Sequence, residues 1–260
     1  MNTSRDIVGI FDSGVGGMSV LKEVREIMPT LDIVYLGDNA RAPYGNRSEE
    51  EVKQYTKEIL LFLKKKGCTH FVSACNSISA MVTQEILDEV GVDRTVYIDM
   101  VQPTKNYFLH TPTKNLTVLA TALTTKSKIY ETTLAPYVES FIGVGELNLA
   151  RQIEFNERKD GVEKTVATFF DTYNLQEGTH LLLACTHYPL VRHLFEEEIQ
   201  KRKLLVQIID PAVYVAEEVY TRVDETHGKG EVVIYTTKES ETMQKLIHEL
   251  GLQKYIIVSL

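Results

Sequence analysis

The amino-acid sequence predicts a doubly wound α/β protein, either one large unit or two modest domains that share a cleft. Short apolar runs, typical of buried parallel strands, alternate along the 260 residues with segments whose apolar residues recur at helical spacing. Two of these runs end in the same dipeptide, Ala74-Cys75 and Ala184-Cys185, nearly half the chain apart. The repeat suggests that the chain has two related halves. No linker rich in Ser, Pro or Gly separates them, so we expect the halves to be tightly connected.

Ten strands are predicted from the apolar runs and the turn-forming residues that bound them. The strand that ends at Cys75 and the one that ends at Cys185 are continuous apolar runs, as expected for strands covered on both faces. The predicted strands cover residues 7–11, 33–36, 70–74, 95–98, 116–120, a run that ends near 144, 180–184, 204–209, 231–235 and 255–258.

Helices are predicted between these strands from apolar periodicity and capping residues. The clearest start is Ser48, because Glu51 lies three residues later and completes a capping box; Gly67 marks the end of that helix. Pro103 is predicted to lie in a crossover between the halves. The other helical segments run from 18 to about 27, from 75 to 91, from 125 onward, around 153, and over 161–173, 190–199, 213–223 and 239–250.

Charge and composition exclude several classes of protein. The chain has 28 basic and 36 acidic residues, a formal net charge of −8, which argues against a general nucleic-acid binder. No apolar run approaches the roughly 18–20 residues that a membrane helix needs. The first residues carry no signal-peptide pattern. We therefore expect a cytoplasmic protein with no membrane and no nucleic-acid partner.

The three cysteines are too few and too far apart for a disulfide framework or an ordinary zinc site. Cys68 is typical of a small buried apolar residue. Cys75 and Cys185 instead follow predicted parallel strands, and ligands of such sheets bind outside the carboxyl ends of the strands. No cluster of His, Asp or Glu has the spacing of metal ligands. The sequence therefore predicts a metal-free site that contains two thiols.

A glycine-rich turn joins the first strand to the first helix. Residues 12–17 read Asp-Ser-Gly-Val-Gly-Gly. A turn of this kind at a helix start can bind an anion through its backbone N–H groups. The Lys-Ser/Thr of a Walker loop is absent, and Ser19 stands where the dinucleotide motif has glycine. We interpret the turn as a cradle for a carboxylate, with an ordinary tight turn as the alternative.

Together these segments resemble glutamate racemases, members of the aspartate/glutamate racemase family. The motifs occur in the family's order and cover nearly the whole chain. His187, in Cys-Thr-His, favours glutamate because the related aspartate racemases carry a Cys-Thr-Glu type of motif. The matching segments are residues 11–17, 37–45, 74–76, 185–190 and 210–212.

The resemblance implies two doubly wound α/β domains that face each other and are related by an approximate twofold axis, with the active site in the cleft between them. One domain would hold residues 1–97 and 211–260, and the other residues 98–210. It also implies the interconversion of L- and D-glutamate without any cofactor or metal, supplying D-glutamate for bacterial peptidoglycan. The only partner implied is the small-molecule substrate, together with a second copy of the chain where a homodimer forms.

Racemisation needs one group to remove the α-proton and another to return a proton to the opposite face. Cysteine suits both tasks because its ordinary pKa is about 8.5. By resemblance, Cys75 takes the proton from D-glutamate and Cys185 from L-glutamate. Asp12 would assist Cys75, and His187, supported by Glu154, would assist Cys185. The alternatives are a helix N-cap for Asp12 and a loop hydrogen bond for His187.

The remaining predicted site residues would bind the substrate. Fixed donors near its α-carboxylate would stabilise the charge that develops on the carbon. Ser77 replaces the family's usual threonine, so aspartate stays open as the main substrate. A binding protein without turnover is the other alternative. The predicted contacts are Asp12, Ser13, Pro43, Tyr44, Gly45, Asn76, Ser77, Thr121, Thr124, Thr186 and His187.

Overall fold

A computed structural model describes residues 5–157, 159–252 and 255–260 of the chain. In these residues, strands form a six-stranded and a four-stranded sheet, and all neighbouring strands are parallel. The strands are β1 (Ile7–Asp12), β2 (Asp32–Gly37), β3 (His70–Ser73), β4 (Tyr97–Ile98), β5 (Thr113–Thr121), β6 (Val138–Glu146), β7 (Thr179–Ala184), β8 (Val206–Ile209), β9 (Val232–Thr236) and β10 (Tyr255–Ile257).

Helices connect the strands, and short 3₁₀ turns lie at Tyr44–Asn46, Arg94–Val96, Ala135–Tyr137 and Tyr188–Val191. The α-helices are α1 (Met18–Ile27), α2 (Glu49–Lys65), α3 (Asn76–Met81), α4 (Gln84–Val90), α5 (Val101–His110), α6 (Ala122–Lys126), α7 (Ile129–Leu134), α8 (Leu149–Glu154), α9 (Lys159–Thr172), α10 (Arg192–Arg202), α11 (Pro211–Arg222) and α12 (Glu241–Glu249).

The two sheets share one strand order. Four strands of the first run β2-β1-β3-β4, and the second runs β6-β5-β7-β8. In the first sheet, β9 and β10 extend the β2 edge, so the end of the chain returns to the sheet that its start begins. The predicted α/β class and the internal repeat are therefore confirmed. The domain boundaries given above stay a prediction.

Both faces of each sheet are covered, as the continuous apolar strands predicted. Ile10 and Tyr35 pack in one cluster, whereas Phe11 and Leu36 pack in a second cluster on the opposite face. Adjacent residues of a strand point to opposite faces, which explains the division. The strands of the second sheet divide in the same way, Leu183 on one face and Leu182 on the other. Because both faces of each sheet are covered, we expect a ligand to bind at the ends of the strands.

One local prediction is confirmed and one is wrong. Pro103 lies in the first turn of α5, which connects β4 of the first sheet to β5 of the second, so the predicted crossover between the halves is confirmed. Asp99 accepts from the N–H groups of Val101 and Gln102 and so starts that helix. The helix predicted over 75–91 is two helices, because the β-branched pair Val82 and Thr83 between them is extended.

Of two further helix starts, one confirms the capping argument and the other lies two residues earlier than predicted. Ser48 and Glu51 form the predicted capping box at the start of α2. The helix predicted from 213 begins at Pro211, after Asp210 accepts a hydrogen bond from Ala212 N. Across the described ranges, no helix combines the length and the apolar character needed to span a membrane.

Candidate active site

Cys75 and Cys185 lie at equivalent places in the repeated topology. Cys75 is the N-cap of α3, two residues after the end of β3, and Cys185 directly follows β7. Each strand neighbours the central strand of its sheet, β1 or β5. Both cysteines are unpaired and only 5% exposed. The fold thus brings one buried thiol from each sheet to a carboxyl end.

Asp12 connects the surroundings of the two thiols. It ends β1 and is fully buried. One carboxylate oxygen accepts from the backbone N–H of Gly14 at 2.7 Å, and the other accepts from the hydroxyl of Thr186, next to Cys185, at 2.8 Å. On the other side, the Cys75 thiol lies 3.8 Å from the Ser13 hydroxyl. Asp12 therefore bridges the two halves.

The alternative role for Asp12, a cap on α1, is not what the structure has. The N-cap of α1 is Gly17, and no side chain caps it. Asp12 turns back to the N–H of Gly14 instead. Asp12 is thus a fully buried carboxylate that bonds to both halves of the chain, and it does not cap a helix.

Burial and charge decide the protonation of Cys75. Burial raises its pKa well above the ordinary value, and the negative charges of Asp12 and Cys185 raise it further. Cys75 therefore holds its proton near neutral pH. Burial likewise raises the pKa of Asp12, although the positive charge of His187 opposes the shift.

His187 lies between Cys185 and Glu154. Its Nδ1 is 3.8 Å from the Cys185 sulfur, and its Nε2 is 2.6 Å from Glu154 Oε2. Burial alone would lower the pKa of His187, but hydrogen bonds to Cys185 and Glu154 outweigh burial and raise it well above the ordinary value. A protonated imidazole beside Cys185 stabilises a thiolate there. The alternative role for His187, a hydrogen bond within a loop, does not account for its contacts with both Cys185 and Glu154.

Glu154 ends α8 and crosses to the first domain. Its carboxylate accepts from Val15 N at 3.0 Å and from the Asn39 side-chain amide at 2.8 Å. The glycine-rich turn does bind a carboxylate, as predicted, but the carboxylate is the protein's own Glu154. Our interpretation of the turn as a substrate cradle is corrected to that extent. Asn39 lies in the predicted loop over 37–45, yet sequence reasoning did not single it out.

The glycines of this turn allow the second domain to approach. A Cβ on Gly14 would lie 2.3 Å from Glu154 Oε2, and a Cβ on Gly16 would lie 2.5 Å from the Thr186 hydroxyl oxygen. Real Cβ atoms do not come this close, so a side chain at position 14 would displace the Glu154 carboxylate, and one at position 16 would also meet the backbone N of His187 at 2.9 Å. Glycine at both positions thus leaves room for the contacts between the two halves.

The substitution Gly14→Ala should therefore displace Glu154 and lower kcat at least about tenfold, with a loss of stability of about 1–3 kcal/mol from overpacking. Steady-state kinetics and urea unfolding measure both effects. Gly143→Ala is the matched control, because a Cβ there meets its nearest neighbour, Phe141, at 3.4 Å. Equal effects from the two substitutions would contradict the argument.

Asn76, the residue after Cys75, has a free donor. Its side-chain oxygen accepts from the Tyr130 hydroxyl at 2.5 Å, while its Nδ2 is buried and has no partner in the described structure. A buried amide without a partner costs free energy unless a ligand satisfies it. Asn76 therefore has an N–H group available for a bound anion. Tyr130, which orients that amide, has no sequence signal that would have marked it.

Three predicted binding residues form one cluster of hydroxyl groups. Ser77 Oγ lies 3.0 Å from Thr121 Oγ1 and 3.3 Å from Thr124 Oγ1, and the two threonine oxygens are 3.0 Å apart. A Cβ on Gly45 would lie 2.5 Å from Thr121 Cβ, so the turn at Gly45 packs directly on the cluster. The residues come from both halves of the chain and can share a polar ligand group.

Tyr44 is placed differently from its predicted role. Its ring is fully buried, and its hydroxyl donates to Asp38. Asp38 also accepts from Arg41 and from Thr237 Oγ1. The hydroxyl is therefore occupied within the protein, and the backbone of Pro43, Tyr44 and Gly45 is what this loop can offer to a ligand. Among the residues described, no group of three or more His, Cys, Asp or Glu could hold a metal ion.

Comparison with known proteins agrees with this geometry. The family model of Asp/Glu/hydantoin racemases matches residues 18–219. "Glutamate racemase 3" of Caldanaerobacter subterraneus subsp. tengcongensis is 35% identical over 245 residues, with 90% of this chain and 87% of that protein covered.

Solved structures of similar proteins match nearly the whole chain. The glutamate racemase isoform RacE1 of Bacillus anthracis has a TM-score of 0.83 at 27% identity, with 98% of each chain covered. A glutamate racemase from Francisella tularensis, solved with D-glutamate, has a TM-score of 0.80 at 25% identity and also covers 98% of each chain.

Proposed function

The chain belongs to the Asp/Glu/hydantoin racemase family and is an amino-acid racemase; on this premise we propose that it interconverts L- and D-glutamate with two thiols, Cys75 and Cys185, and no cofactor. One observation carries the proposal. Two buried thiols lie at equivalent ends of the two sheets, and the bond between Asp12 and Thr186 joins their surroundings. The binding-protein alternative does not explain why both thiols have acidic or basic neighbours.

The protonation of the resting site suits one direction of the reaction. Cys75 keeps its proton because burial and the Asp12 charge raise its pKa. The pKa of His187 is raised well above its ordinary value, so a cation lies beside the Cys185 sulfur. The Cys185 thiolate removes the α-proton of L-glutamate, and the Cys75 thiol donates a proton to the opposite face. The reverse direction needs the two thiols to exchange protonation states.

Fixed donors stabilise the negative charge that develops on the α-carbon and its carboxylate. The free Nδ2 of Asn76, next to Cys75, is one such donor. The Thr186 hydroxyl already donates to Asp12, so its part is to hold that carboxylate beside the site. Such donors act strongly in a site that excludes water. The hydroxyl cluster of Ser77, Thr121 and Thr124 would receive the side-chain carboxylate of glutamate.

The role in the cell follows from the product. D-Glutamate is a building block of bacterial peptidoglycan, so we place the reaction in the cytoplasm, where the wall precursors are made. The similar proteins named above are bacterial glutamate racemases. A homodimer remains an expectation from the family.

The test is to incubate the folded, reduced protein with L- or D-glutamate in deuterated water. We expect each enantiomer to become the racemate, with deuterium at the α-carbon of the inverted product. Parallel assays compare kcat/KM for glutamate with kcat/KM for aspartate. A larger value for aspartate would mean that aspartate is the main substrate. Absence of both inversion and deuterium from glutamate and aspartate would contradict the proposed function.

A further inference from the structure

We propose that Asn39 is a positioning residue for this reaction, whose side-chain amide fixes the Glu154 carboxylate and thereby the pair of His187 and Cys185. The inference rests on the proposed function and adds to it. Asn39 follows β2 in the first domain and is only 3% exposed. Its partner Glu154 lies 115 positions away in the chain and is 2% exposed.

The two oxygen atoms of Glu154 have different donors. Oε2 accepts from Val15 N and from His187 Nε2, at 3.0 and 2.6 Å. Oε1 accepts from Asn39 Nδ2 at 2.8 Å, the one donor to that oxygen in the described hydrogen bonds. Asn39 therefore holds the oxygen that the other two donors do not contact, and it restricts rotation of the carboxylate about its last bond. Without Asn39, such a rotation would move Oε2 and lengthen its contact with His187 as well as its contact with Val15.

The amide of Asn39 is itself held in one orientation. A carboxylate oxygen can only accept, so the amide nitrogen must face Glu154. The amide oxygen then faces the Thr236 hydroxyl, at 2.8 Å, and Thr236 is fully buried in β9. A Cβ on Gly37 would lie 2.8 Å from that same amide oxygen, so glycine at 37 leaves the room that Asn39 occupies. Flipping the amide would place two acceptors together.

These contacts form one chain of hydrogen bonds through the site. It runs from Thr236 to Asn39, then to Glu154, His187 and the Cys185 sulfur. All five side chains are buried. The first two belong to the larger sheet and its loop, and the last three to the part of the chain around the smaller sheet. The orientation of His187 toward Cys185 therefore depends on a residue that touches neither.

The first test is the substitution Asn39→Ser, which removes the amide donor. Hydrogen bonds to charged groups are among the stronger ones, so we expect kcat for glutamate to fall about 10- to 100-fold, with KM changed less than about twofold. Asn115→Ser is the matched control, because Asn115 is a buried asparagine that bonds to the carbonyl of Glu177. A rise in KM with kcat unchanged would overturn the proposal.

A double-mutant cycle separates positioning from a structural role. If Asn39 acts through Glu154, then Asn39→Ser should lower kcat by less than about threefold in a Glu154→Gln background. A full loss in that background would mean that Asn39 acts by another route, which overturns the proposal. Melting temperatures of all four proteins show whether folding is affected.

The substitution Asn39→Asp supplies a pH readout. When the introduced carboxyl is protonated it can donate to Glu154, and when it is ionised it repels Glu154. Burial and the neighbouring carboxylate raise its pKa. The activity of this variant relative to the wild type should therefore fall as the pH rises from 6 to 9. A constant ratio across that range would overturn the proposal.

One further measurement does not depend on the substrate. In the ligand-free protein, the Nε2 proton of His187 in its 2.6 Å bond to Glu154 should resonate far downfield in the proton NMR spectrum. Asn39→Ser should move that signal upfield or broaden it, while Asn115→Ser should not. An unmoved signal overturns the positioning role even if glutamate is not the substrate, and a failed inversion assay alone overturns only the proposed function.

Discussion

The substitutions Cys75→Ala and Cys185→Ala, made singly, are each expected to lower the rate of glutamate inversion about 1,000-fold or more. General acid and base groups contribute about 10²- to 10⁴-fold each, and inversion needs one thiol on each face. Both side chains lie in the interior, so truncation to alanine leaves a small cavity without changing the strands that precede them.

The two single variants should differ in which enantiomer of glutamate still exchanges its α-proton for deuterium. Cys75→Ala retains the thiol assigned to L-glutamate, so L-glutamate should slowly gain deuterium in deuterated water without inverting, and D-glutamate should not. Cys185→Ala should show the opposite preference. Proton NMR of the α-position measures both.

Cys68→Ala is the matched control for the thiol variants. Cys68 is 8% exposed and packs against the backbone of Gly9 in β1, away from Asp12. Its removal should leave inversion within about twofold, because it has no part in proton transfer. Full activity in either of the other two single variants would remove the two-thiol mechanism.

The substitution Asp12→Asn is expected to lower kcat about 100-fold while leaving the folded protein as stable or more stable at pH 8. The amide nitrogen cannot accept, so the bonds from Gly14 N and from Thr186 Oγ1 cannot both be kept. Burial raises the pKa of Asp12. Its favourable contribution to stability is therefore present below about pH 4, its ordinary pKa, and is lost as the pH rises through the folded-state pKa.

Asp32→Asn is the matched control, with the opposite sign for stability. Asp32, at the start of β2, bonds to Arg5 and to the N–H groups of Lys229 and Glu231. Although burial opposes the shift, these bonds lower the pKa of Asp32. Its stabilising effect is thus present above about pH 4 and is lost as the pH falls.

The two aspartate variants should therefore separate activity from stability. Asp32→Asn should lower Tm by about 3 °C or more at pH 8, since a hydrogen bond to a charged group is lost. Its kcat per folded molecule should not change. Calorimetry between pH 4 and 8, with kinetics at pH 8, measures both. A low Tm for Asp12→Asn at pH 8 together with normal activity would contradict the assignment of Asp12 to the site.

Much of the fold follows from local signals in the sequence. The alternation of buried strands and amphipathic helices predicts the α/β class, and the capping box at Ser48 predicts where α2 begins. The error at Val82 arose because the place where a helix breaks depends on which neighbours satisfy the backbone N–H and C=O groups. Asp99, whose carboxylate accepts from the first N–H groups of α5, could not be identified from periodicity alone.

The sequence by itself determined which residues we propose for the chemistry. Ala-Cys after two buried strands, and the order of the motifs around them, predicted two thiols at equivalent sheet ends with Asp12 and His187 beside them. These are local patterns, because a strand, its end and the residues that follow are adjacent in the chain.

Only the tertiary structure decided how those residues are held. The glycine-rich turn receives the protein's own Glu154, Tyr130 orients Asn76, and Asn39 holds Glu154. Each contact joins residues that are far apart in sequence, 139, 54 and 115 positions respectively. The physical reason is that hydrogen bonds of this kind depend on how the two halves pack together, and no local pattern of residue types records that packing.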